Sequence, residues 1–574
     1  MRLNIVESKN AKQYYVIKSY RKNGHSTSKI IEKLGTHEEL LKQHPDPEAW
    51  AREYVAELNR KEKAAQKHEI LIKFDPNTRI PKDDVRLYSG GYLFLQKLFY
   101  ELHLDYICKK ITERHRFDYD LKSILAALIY GRILFPASKS GTYEMAKSLL
   151  EPIDFRLHDV YRALSVLAEE SDYVQEAVYR FSKGLGKRND SVLYYDCTNF
   201  FFEIEQEDGM KKYGHSKEHR PNPIVELGMF MDGDGIPLAF TLVDGSRNEQ
   251  TTLKPLETQI IQDFGLSKFI VCTDAGLSSV SNRKFNDAPG RAFVTAQSLK
   301  KMKDYQKKWA LDPGGWRLTG DSGVYDLDRI LEDEGSRNRY RHSIFYKERW
   351  FNEDNMEQKF VVTFSLKYMD YCRNIRNEQI ARAQAALVSP KQSDRTRQTD
   401  YKRFITRLHT TKEGEVAGNV SYGLNTDLIA EEEQYDGFYA VATNLEDDVS
   451  QIIRINTGRW EIEECFRIMK TEFKSRPVYL SRDDRVKAHF TTCFLSLILF
   501  RYLEKKLDHR YTCCQIISGL RSMQFFKQKE EGFSPAYTRT DFTDDLHEAF
   551  GFRTDFEILS SADMRKIIHF TKTR

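Results

Sequence analysis

The sequence lacks both a long hydrophobic run and a segment typical of export. Its longest apolar stretch, Cys493 to Phe500 (CFLSLILF), is far shorter than the roughly 20 residues that span a bilayer. The start, MRLNIVESKNAKQ, has no apolar core of the kind found in signal peptides, so we expect neither export nor a membrane partner. The apolar stretch is instead predicted to be a buried helix of a cytoplasmic protein.

Cysteine pairs at metal-ligand spacing and a strong net charge are also missing. The eight cysteines include no C-x2-C pair, and the adjacent Cys513 and Cys514 make a poor zinc or disulfide framework, so we expect reduced, mostly buried thiols. With 89 Lys and Arg against 85 Asp and Glu, a basic face is permitted, but charge alone does not establish a nucleic-acid partner. A chain of 574 residues predicts two to four domains.

The N-terminal part, residues 1–75, is predicted to be a basic β-hairpin followed by a helix. Residues 12–35 alternate Tyr, Val and Ile with polar positions around Asn23-Gly24, a pair typical of hairpin turns. Residues 38–73 have a charged, helical pattern, and two prolines in 74–81 indicate a linker. The basic side chains of the hairpin fit contact with DNA and a solvated surface about equally well.

Residues 76–187 are predicted to form a helical domain. Apolar periodicity indicates helices in 90–107, 121–135 and 158–185. The turn Phe-Pro-Ala-Ser at 135–138, followed by another helix, suggests a helix-turn-helix arrangement that would bind DNA. A helical bundle used only for dimerisation fits the same pattern.

The pattern changes to strands at Ser191, and two strands carry aspartates. The segment SVLYYDCTNFFFEI holds Asp196 in its middle, and KFIVCTDAGLSS delivers Asp274 at a strand end before a glycine turn. A central strand has little reason to carry a carboxylate, although an edge residue making local hydrogen bonds would also fit. A carboxylate at the C-terminal end of a strand is common in the sites of α/β sheets.

The predicted order in residues 188–299 is strand, strand, strand, helix, strand, helix, strand. PIVELGMFM and GIPLAFTLV form a meander with the first strand, and RAFVTAQSL is the fifth. This is the ribonuclease H-like order, in which strands one and four are neighbours, so Asp196 and Asp274 are expected side by side. We therefore predict an α/β fold with a ribonuclease H-like catalytic core, a mixed five-stranded sheet with helices, whose final helix and acid come later in the chain.

Residues 300–434 are predicted to be an inserted, β-rich domain. HSIFYKERWF and QKFVVTFSLKYM indicate short strands, and RNIRNEQIARAQAAL indicates a charged helix. The Lys/Arg/Ser/Thr-rich segment from Pro390 to Lys412 could lie along a nucleic-acid backbone. Three tryptophans are expected in the core of the insertion, with stacking on an extruded base as the alternative: Trp309, Trp316 and Trp350.

The core is predicted to resume in residues 435–508, where YDGFYAVATNL indicates a strand that rejoins the sheet. A single helix is then predicted to begin near Ser450 and to contain RWEIEECFRIMK. An apolar stripe at i, i+4, i+7 and i+11 would dock on the core: Ile462, Phe466, Met469 and Phe473. Glu463 lies on a neighbouring stripe with four basic residues: Arg459, Arg467, Lys470 and Lys474. A carboxylate held by packing but open on one side suits a hard divalent cation. An ordinary ladder of ion pairs on a solvated face fits the same spacing.

The remaining segments carry less information. The apolar helix RVKAHFTTCFLSLILFRYLEKKL is predicted to pack on the sheet, and residues 509–574 to form a small, mixed tail domain. Three scattered histidines are expected in surface or capping positions rather than as ligands: His215, His219 and His489.

Together these motifs resemble a known family, the bacterial insertion-sequence transposases of the DDE type, in the group with a β-rich insertion before its glutamate. The signature of that group is Tyr-x2-Arg-x3-Glu-x6-Lys, and Arg459, Glu463 and Lys470 match it, while Asn456 stands at the tyrosine position. Three further segments resemble the family: YDCTNF around Asp196, TDAGL around Asp274 and GHSKEHRP at 214–221.

The resemblance implies cut-and-paste DNA transposition, with metal-dependent cleavage at transposon ends and strand transfer into target DNA. It implies Mg2+, with Mn2+ as a substitute, as two ions about 3.5–4 Å apart. Asp196 would bridge the ions, while Asp274 and Glu463 would each hold one. Four basic residues would contact DNA phosphates: Arg459, Lys470, Lys217 and Arg220.

The implied partners are double-stranded DNA, as terminal inverted repeats and target, and a second copy of the chain in a synaptic complex, in the bacterial cytoplasm at the nucleoid. Two other functions fit the same residues. One is a metal-dependent nuclease without strand transfer, and the other is a non-catalytic DNA-binding protein derived from a transposase. The presence of all three acids disfavours the last.

Overall fold

The computed structural model describes residues 1–8, 11–22, 25–65, 72, 75–387, 400–409, 420–529 and 531–574. The chain divides into two compact units, Met1–Lys82 and Asp83–Arg574. The predicted turn Asn23-Gly24 and most of the predicted basic segment from Pro390 to Lys412 lie outside the described residues.

The first unit is a three-stranded antiparallel sheet with two helices, one strand more than the predicted hairpin. Its elements are β1 (Arg2–Ser8), β2 (Ala11–Lys22), β3 (His25–Thr36), α1 (His37–Leu41) and α2 (Pro47–Ala65). Tyr14 of the central strand is buried against Leu40 and Ala51 of the helices. The unpredicted strand β1 packs Leu3 and Ile5 against this core, and both side chains are only partly buried.

Residues 83–187 form the helical region that the sequence predicts. Its elements are β4 (Leu87–Ser89), α3 (Tyr92–Glu101), α4 (Leu104–Arg114), α5 (Leu121–Leu134), α6 (Lys139–Ala146), α7 (Leu157–Glu169) and α8 (Ser171–Ser182). Asp120 caps α5 and Ser138 caps α6, each by accepting a backbone N–H of the first turn. Among the described residues, no single helix passes the length and composition test for a membrane span; α5 and α6 pass it only as a pair bent by 101°.

The next segment follows the predicted order of strands and helices. Its elements are β5 (Val192–Phe201), β6 (Ile224–Asp232), β7 (Pro237–Asp244), α9 (Leu253–Asp263), β8 (Phe269–Thr273), α10 (Val280–Phe285) and β9 (Arg291–Gln297). These strands lie in the order β7-β6-β5-β8-β9, with β8 parallel to both β5 and β9. The first and fourth strands are therefore neighbours, as predicted.

The sheet is larger than the five strands predicted, because the strand that was predicted to rejoin it and strands of the insertion both extend it. The added elements are α11 (Asp304–Leu311), β10 (Trp316–Leu318), β11 (Val324–Tyr325), α12 (Leu327–Glu332), α13 (Glu334–Arg339), β12 (Phe345–Glu353), β13 (Met356–Phe364), α14 (Leu366–Leu387), β14 (Ile405–His409), β15 (Val420–Leu424), α15 (Thr426–Glu433) and β16 (Phe438–Thr443). Strand β16 covers the open edge of β9, and β13, β12, β10 and β11 follow, giving a ten-stranded mixed sheet.

The last segment adds helices and a second small sheet. Its elements are α16 (Val449–Thr457), α17 (Trp460–Arg467), α18 (Asp483–Lys506), α19 (Cys513–Ser522), β17 (Gln524–Gln528), β18 (Gly532–Pro535), α20 (Asp541–Phe550), β19 (Leu559–Ser560) and α21 (Ser561–Thr571). The run Cys493–Phe500 of α18 is buried, as predicted. All eight cysteines are free thiols, and most are buried, as predicted.

The segment after residue 509 shares a sheet with the start of the helical region. Strands β19, β18 and β17 continue onto β4 in one four-stranded sheet. Lys97 of α3 donates to the carbonyl of Thr573 at 2.9 Å, and Gln96 accepts from Thr571. The two ends of this unit therefore support each other, while the finer domain boundaries within residues 83–574 stay predictions.

Candidate active site

Asp196 and Asp274 lie at matching positions of two paired strands. Tyr195 of β5 and Thr273 of β8 are partners in parallel register, so the next residue of each segment is an aspartate. Side chains at matching positions of neighbouring strands point to the same face of the sheet. Both aspartates are partly exposed. The sheet thus brings two carboxyl groups together at the C-terminal end of β8.

The carboxyl group of Asp196 is in an environment that disfavours its negative charge. Burial raises the pKa of Asp196 to about 6, and the negative charge of Asp274 acts in the same direction. Lys217, Arg459 and the backbone N–H of Cys197, which donates to Asp196 Oδ1 at 2.8 Å, oppose this rise. A bound cation would offset the remaining free-energy cost of the negative charge on Asp196.

The helix that carries Glu463 docks by its apolar side, as predicted. The four residues of the predicted stripe are all buried: Ile462, Phe466, Met469 and Phe473. Cys465 Sγ lies 3.7 Å from the sulfur of Met231 on β6, and Glu461 pairs with Arg501 of α18. These contacts fix α17 against the sheet while Glu463 itself stays 56% exposed.

Arg459 connects Glu463 with the two aspartates. Its Nη1 lies 2.9 Å from Glu463 Oε1. Burial by itself lowers the pKa of Arg459, but the charges of Glu463, Asp196 and Asp274 outweigh burial and raise it. Arg459 is therefore within electrostatic range of all three predicted acids.

The predicted single helix, which begins near Ser450 and runs to Lys470, is interrupted twice. A turn at Gly458 and Arg459 separates α16 from α17, and Lys470 lies in a π-helical turn, Ile468–Glu472. A Cβ on Gly458 would lie 2.1 Å from the hydroxyl of Tyr194 on β5, so this turn needs glycine to approach the sheet. The wider π turn changes the helical register, which the spacing of apolar residues does not indicate.

Of the predicted series of ion pairs, Arg459 with Glu463 is present, but Glu463 does not pair with Arg467. Arg467 Nε donates to Glu464 Oε2 at 2.7 Å, whereas Glu463 pairs with Arg459. Asn456, at the position of the signature tyrosine, has a buried Oδ1 without a hydrogen-bond partner in the described part of the chain.

The loop 214–221 lies beside the π turn and holds two further predicted residues. Its Glu218, which sequence reasoning missed, lies 3.5 Å from Lys470 Nζ and 2.9 Å from Arg476 Nη1. Burial lowers the pKa of Lys470, and Glu218 opposes that decrease. The guanidinium of Arg220 lies 5.2 Å above the ring centre of Phe201.

Lys217 is directed at the strand that carries Asp196. Asn199 of β5 anchors its loop, because its Nδ2 donates to the His215 carbonyl at 2.9 Å and its Oδ1 accepts from Lys217 N at 3.3 Å. Lys217 Nζ donates to the Cys197 carbonyl and lies 3.1 Å from Glu249 Oε1. This predicted residue thus lies beside the acids rather than on a free loop.

A second acidic pair, which sequence reasoning missed, lies beside Lys217. Burial raises the pKa of Glu226 to about 8, and the charge of Glu249 acts in the same direction. Within the described residues, Glu226 Oε1 has no hydrogen-bond partner. The signal was present in the sequence, since Glu226 interrupts the apolar strand PIVELGMFM as Asp196 interrupts its own.

The three predicted acids offer oxygen ligands only, which is the donor set that Mg2+ and Mn2+ prefer. The residues therefore fit the implied metal. Asp196 and Asp274 come from strands whose positions the sheet fixes, while Glu463 would have to exchange Arg459 for a cation.

In the described ranges, the group whose ligand atoms all lie within 4.8 Å of one another is not the three predicted acids but a different set: Asp544, His547 and Asp555. The Thr554 N–H donates to His547 Nε2 at 3.2 Å, so the ring proton is on Nδ1, the atom that faces Asp555. Arg539 and Arg553 each pair with both carboxylates. We assign this group a structural role, because its charges are already balanced.

The tryptophans of the insertion differ in exposure. Trp316 is fully buried and its indole N–H donates to the Asp312 carbonyl at 2.9 Å. Trp309 packs edge-on against Phe351. Trp350 is 40% exposed and Trp309 is partly exposed, so Trp350 is the most accessible of the three for the stacking alternative.

Comparison with known proteins gives one family match. A family model described as "Transposase DDE domain" matches residues 199–499, a range that contains Asp274 and Glu463 and begins just after Asp196. Among solved structures, a piggyBac transposase synaptic complex with hairpin DNA, studied by cryo-EM, is similar at a TM-score of 0.33 and 8% identity, over 87% of each chain. No curated protein matches the sequence.

Proposed function

Because the chain belongs to the transposase DDE domain family, we propose that it cuts DNA at transposon ends and transfers the cut strands into target DNA. One observation carries this proposal: Asp196 and Asp274 follow paired residues of two parallel strands, and Arg459 ties Glu463 to the same charges. The fold we propose for residues 188–299 and 435–508 is ribonuclease H-like, in the bacterial insertion-sequence group.

In this proposal Asp196, Asp274 and Glu463 hold two divalent cations, Mg2+ or in its place Mn2+. Such ions would activate the attacking water or 3′-hydroxyl and stabilise the leaving oxygen. Each of the three side chains would supply carboxylate oxygens to the ions. Glu463 would leave Arg459 on binding metal, which frees the guanidinium to bind a phosphate as a bidentate donor.

The proposed partners are double-stranded DNA and a second copy of the chain in a synaptic complex at the bacterial nucleoid. Four basic residues are assigned to phosphates of the transposon end: Arg459, Lys470, Lys217 and Arg220. Three of these cations have acidic partners that DNA would replace: Glu463 for Arg459, Glu218 for Lys470 and Glu249 for Lys217.

The test is an in vitro cleavage and joining assay with Mg2+ on DNA that carries the element's own ends. We expect the wild type to cut and join, and Glu463→Gln to bind the ends but lose both reactions by about 10³-fold. Glu464→Gln is the matched control, because the neighbouring glutamate pairs with Arg467 instead. We expect this control to behave as the wild type.

Two outcomes of this assay would change the proposal. Cleavage without joining by the wild type would favour a metal-dependent nuclease on the same scaffold. Cleavage by Glu463→Gln at the wild-type rate would remove Glu463 from the site and reduce the helix to an ion-paired surface.

A further inference from the structure

A pocket between α5, α6 and the segment after the π turn is lined by basic side chains. Its volume is about 50 Å³, which leaves room for more than one water molecule. Arg132 of α5, Lys139 at the start of α6 and His489 of α18 form part of its wall. None of these residues belongs to the candidate active site.

The basic side chains of this pocket are buried without an acidic partner. Arg132 and Lys139 are each 5% exposed, and His489 is 3% exposed. In the part of the chain that the structure describes, no Asp or Glu forms an ion pair with either cation. Arg132 donates to three backbone carbonyls: those of Phe473, Lys474 and Ala137.

The hydrogen bonds leave donors of Lys139 available. His489 Nε2 lies 2.9 Å from the Ser475 carbonyl, which can only accept, so Nε2 carries the ring proton. His489 Nδ1 is then an acceptor for Lys139 Nζ at 3.3 Å. A protonated lysine has three N–H bonds, and the described residues provide an acceptor for one of them.

The balance of charge around Lys139 points to a missing anion. Burial, together with the positive charge of Arg132, lowers the pKa of Lys139 to about 7. Burial and both cations lower the pKa of His489 well below its usual value. Buried charges in proteins are normally paired, and here the negative partner is absent from the described surroundings.

We propose that this pocket binds a phosphate group. The N-terminus of α6, capped by Ser138, adds its dipole to the two cations. Tyr479, which is 72% exposed and lines the same pocket, offers a ring on which a nucleotide base could stack. The phosphate can come from a DNA backbone or from free inorganic phosphate; the first source rests on the function proposed above, and the second does not.

The first arm of the test measures affinity for a labelled duplex over a series of KCl concentrations. Lys139→Met removes the ammonium group, and Lys147→Met is the matched control at the other end of α6, where the lysine is exposed and pairs with Glu144. If the pocket binds a DNA phosphate, Lys139→Met lowers affinity about tenfold and reduces the log–log salt slope by about 0.9, while Lys147→Met changes both less.

The second arm measures the thermal midpoint of each protein in inorganic phosphate and in chloride of equal ionic strength. If the pocket binds free phosphate, phosphate raises the midpoint of the wild type and of Lys147→Met, but not that of Lys139→Met. The wild-type measurement needs no variant, and Lys139→Gln is a second substitution should methionine prevent folding.

The outcomes separate this proposal from the function proposed above. An effect in either arm supports the pocket and identifies the source of its phosphate. Equal behaviour of Lys139→Met and Lys147→Met in both arms overturns it. Phosphate binding by a wild type that fails to bind DNA would overturn the proposed function and leave the phosphate pocket standing.

Discussion

Two groups of charged side chains in residues 83–574 are unbalanced in opposite directions. Around β5, two cations, Lys217 and Arg459, face a larger number of carboxyl groups. The carboxyl groups are those of Asp196, Asp274, Glu463, Glu226 and Glu249. In the pocket at α6, Arg132 and Lys139 have no acidic partner in the described part of the chain. Each excess of buried charge lowers the stability of the ligand-free protein. The negative excess around β5 indicates that a cation binds there, and the positive excess in the pocket at α6 indicates that a phosphate binds there.

A third group shows what a balanced arrangement looks like. Arg188 and Asp232 are 1% and 0% exposed in their side chains, and Arg188 Nε lies 2.6 Å from Asp232 Oδ2. Arg188 also donates to Ser182 Oγ and to two backbone carbonyls. Nothing here calls for a ligand, so we expect this pair to stabilise the fold, whereas the unbalanced groups serve binding.

The largest expected effect is loss of cleavage in Asp196→Asn. Asparagine keeps the size of the side chain but cannot supply the negative charge that a cation needs, so we expect the cleavage rate to fall by about 10³-fold or more. Gel assays of DNA cleavage in Mg2+ measure this. Asp263→Asn, an exposed aspartate at the end of α9, is the control; wild-type cleavage by Asp196→Asn would show that the acidic excess around β5 is not a metal site.

The strands around this site could be predicted from the sequence because their signals are local. Apolar strands and the two interrupting aspartates lie within short segments, and the order of elements restricts their pairing. The ten-stranded sheet could not be predicted in this way. It depends on the insertion strands β13, β12, β10 and β11 continuing the sheet beyond β16, and edge pairing leaves no periodic trace in a strand.

The candidate site was likewise predictable only where its signals are local in the sequence. Spacing predicted the buried stripe that runs from α17 through the π turn, and it predicted the ion pair of Glu463 with Arg459 as part of a ladder. It did not predict the π turn at Lys470, because one extra residue in a turn leaves the apolar pattern almost unchanged. Nor could it predict that His489, expected at the surface, is buried beside Lys139, since that contact joins helices 350 residues apart.

The second prediction concerns the balanced pair. Arg188→Met leaves Asp232 buried without its partner, so we expect the free energy of unfolding to fall by about 3–5 kcal/mol. Urea denaturation at neutral pH measures this. Lys187→Met, an exposed neighbour, should change the free energy of unfolding by less than about 0.5 kcal/mol. If Arg188→Met also changed the free energy of unfolding by less than about 0.5 kcal/mol, the balanced pair would not stabilise the fold in the way proposed.

The third prediction is a gain in the free energy of unfolding, opposite to the loss expected for Arg188→Met. Lys139→Met removes a buried cation without an acidic partner, so we expect the ligand-free protein to gain about 1–3 kcal/mol at pH 7. The pKa of Lys139 falls from 10.5 to about 7 on folding. The unfolded chain therefore binds more protons between these values, wild-type stability rises with pH across that window, and the advantage of methionine shrinks.

Urea denaturation of both proteins from pH 6 to 10 measures this third effect. The groups that face Lys139 are Arg132, His489 and Cys493, and all three remain in the variant. A loss of stability in Lys139→Met, comparable to that of Arg188→Met, would mean that Lys139 has a partner and that the pocket is balanced.

The smallest expected effect is on the acidic side, with Glu226→Gln. Folding raises the pKa of Glu226 from 4.5 to about 8, so the folded chain binds more protons in this window and wild-type stability falls as pH rises through it. Glutamine does not titrate, and we expect the variant to match the wild type in stability near pH 4.5 and to be more stable than the wild type above pH 8. Glu203→Gln, an exposed neighbour, is the control in the same urea titrations. Glu226 makes wild-type stability fall as pH rises, whereas Lys139 makes it rise, because the two buried charges have opposite signs. A stability difference between Glu226→Gln and the wild type that does not change with pH would mean that Glu226 adds nothing to the acidic excess around β5.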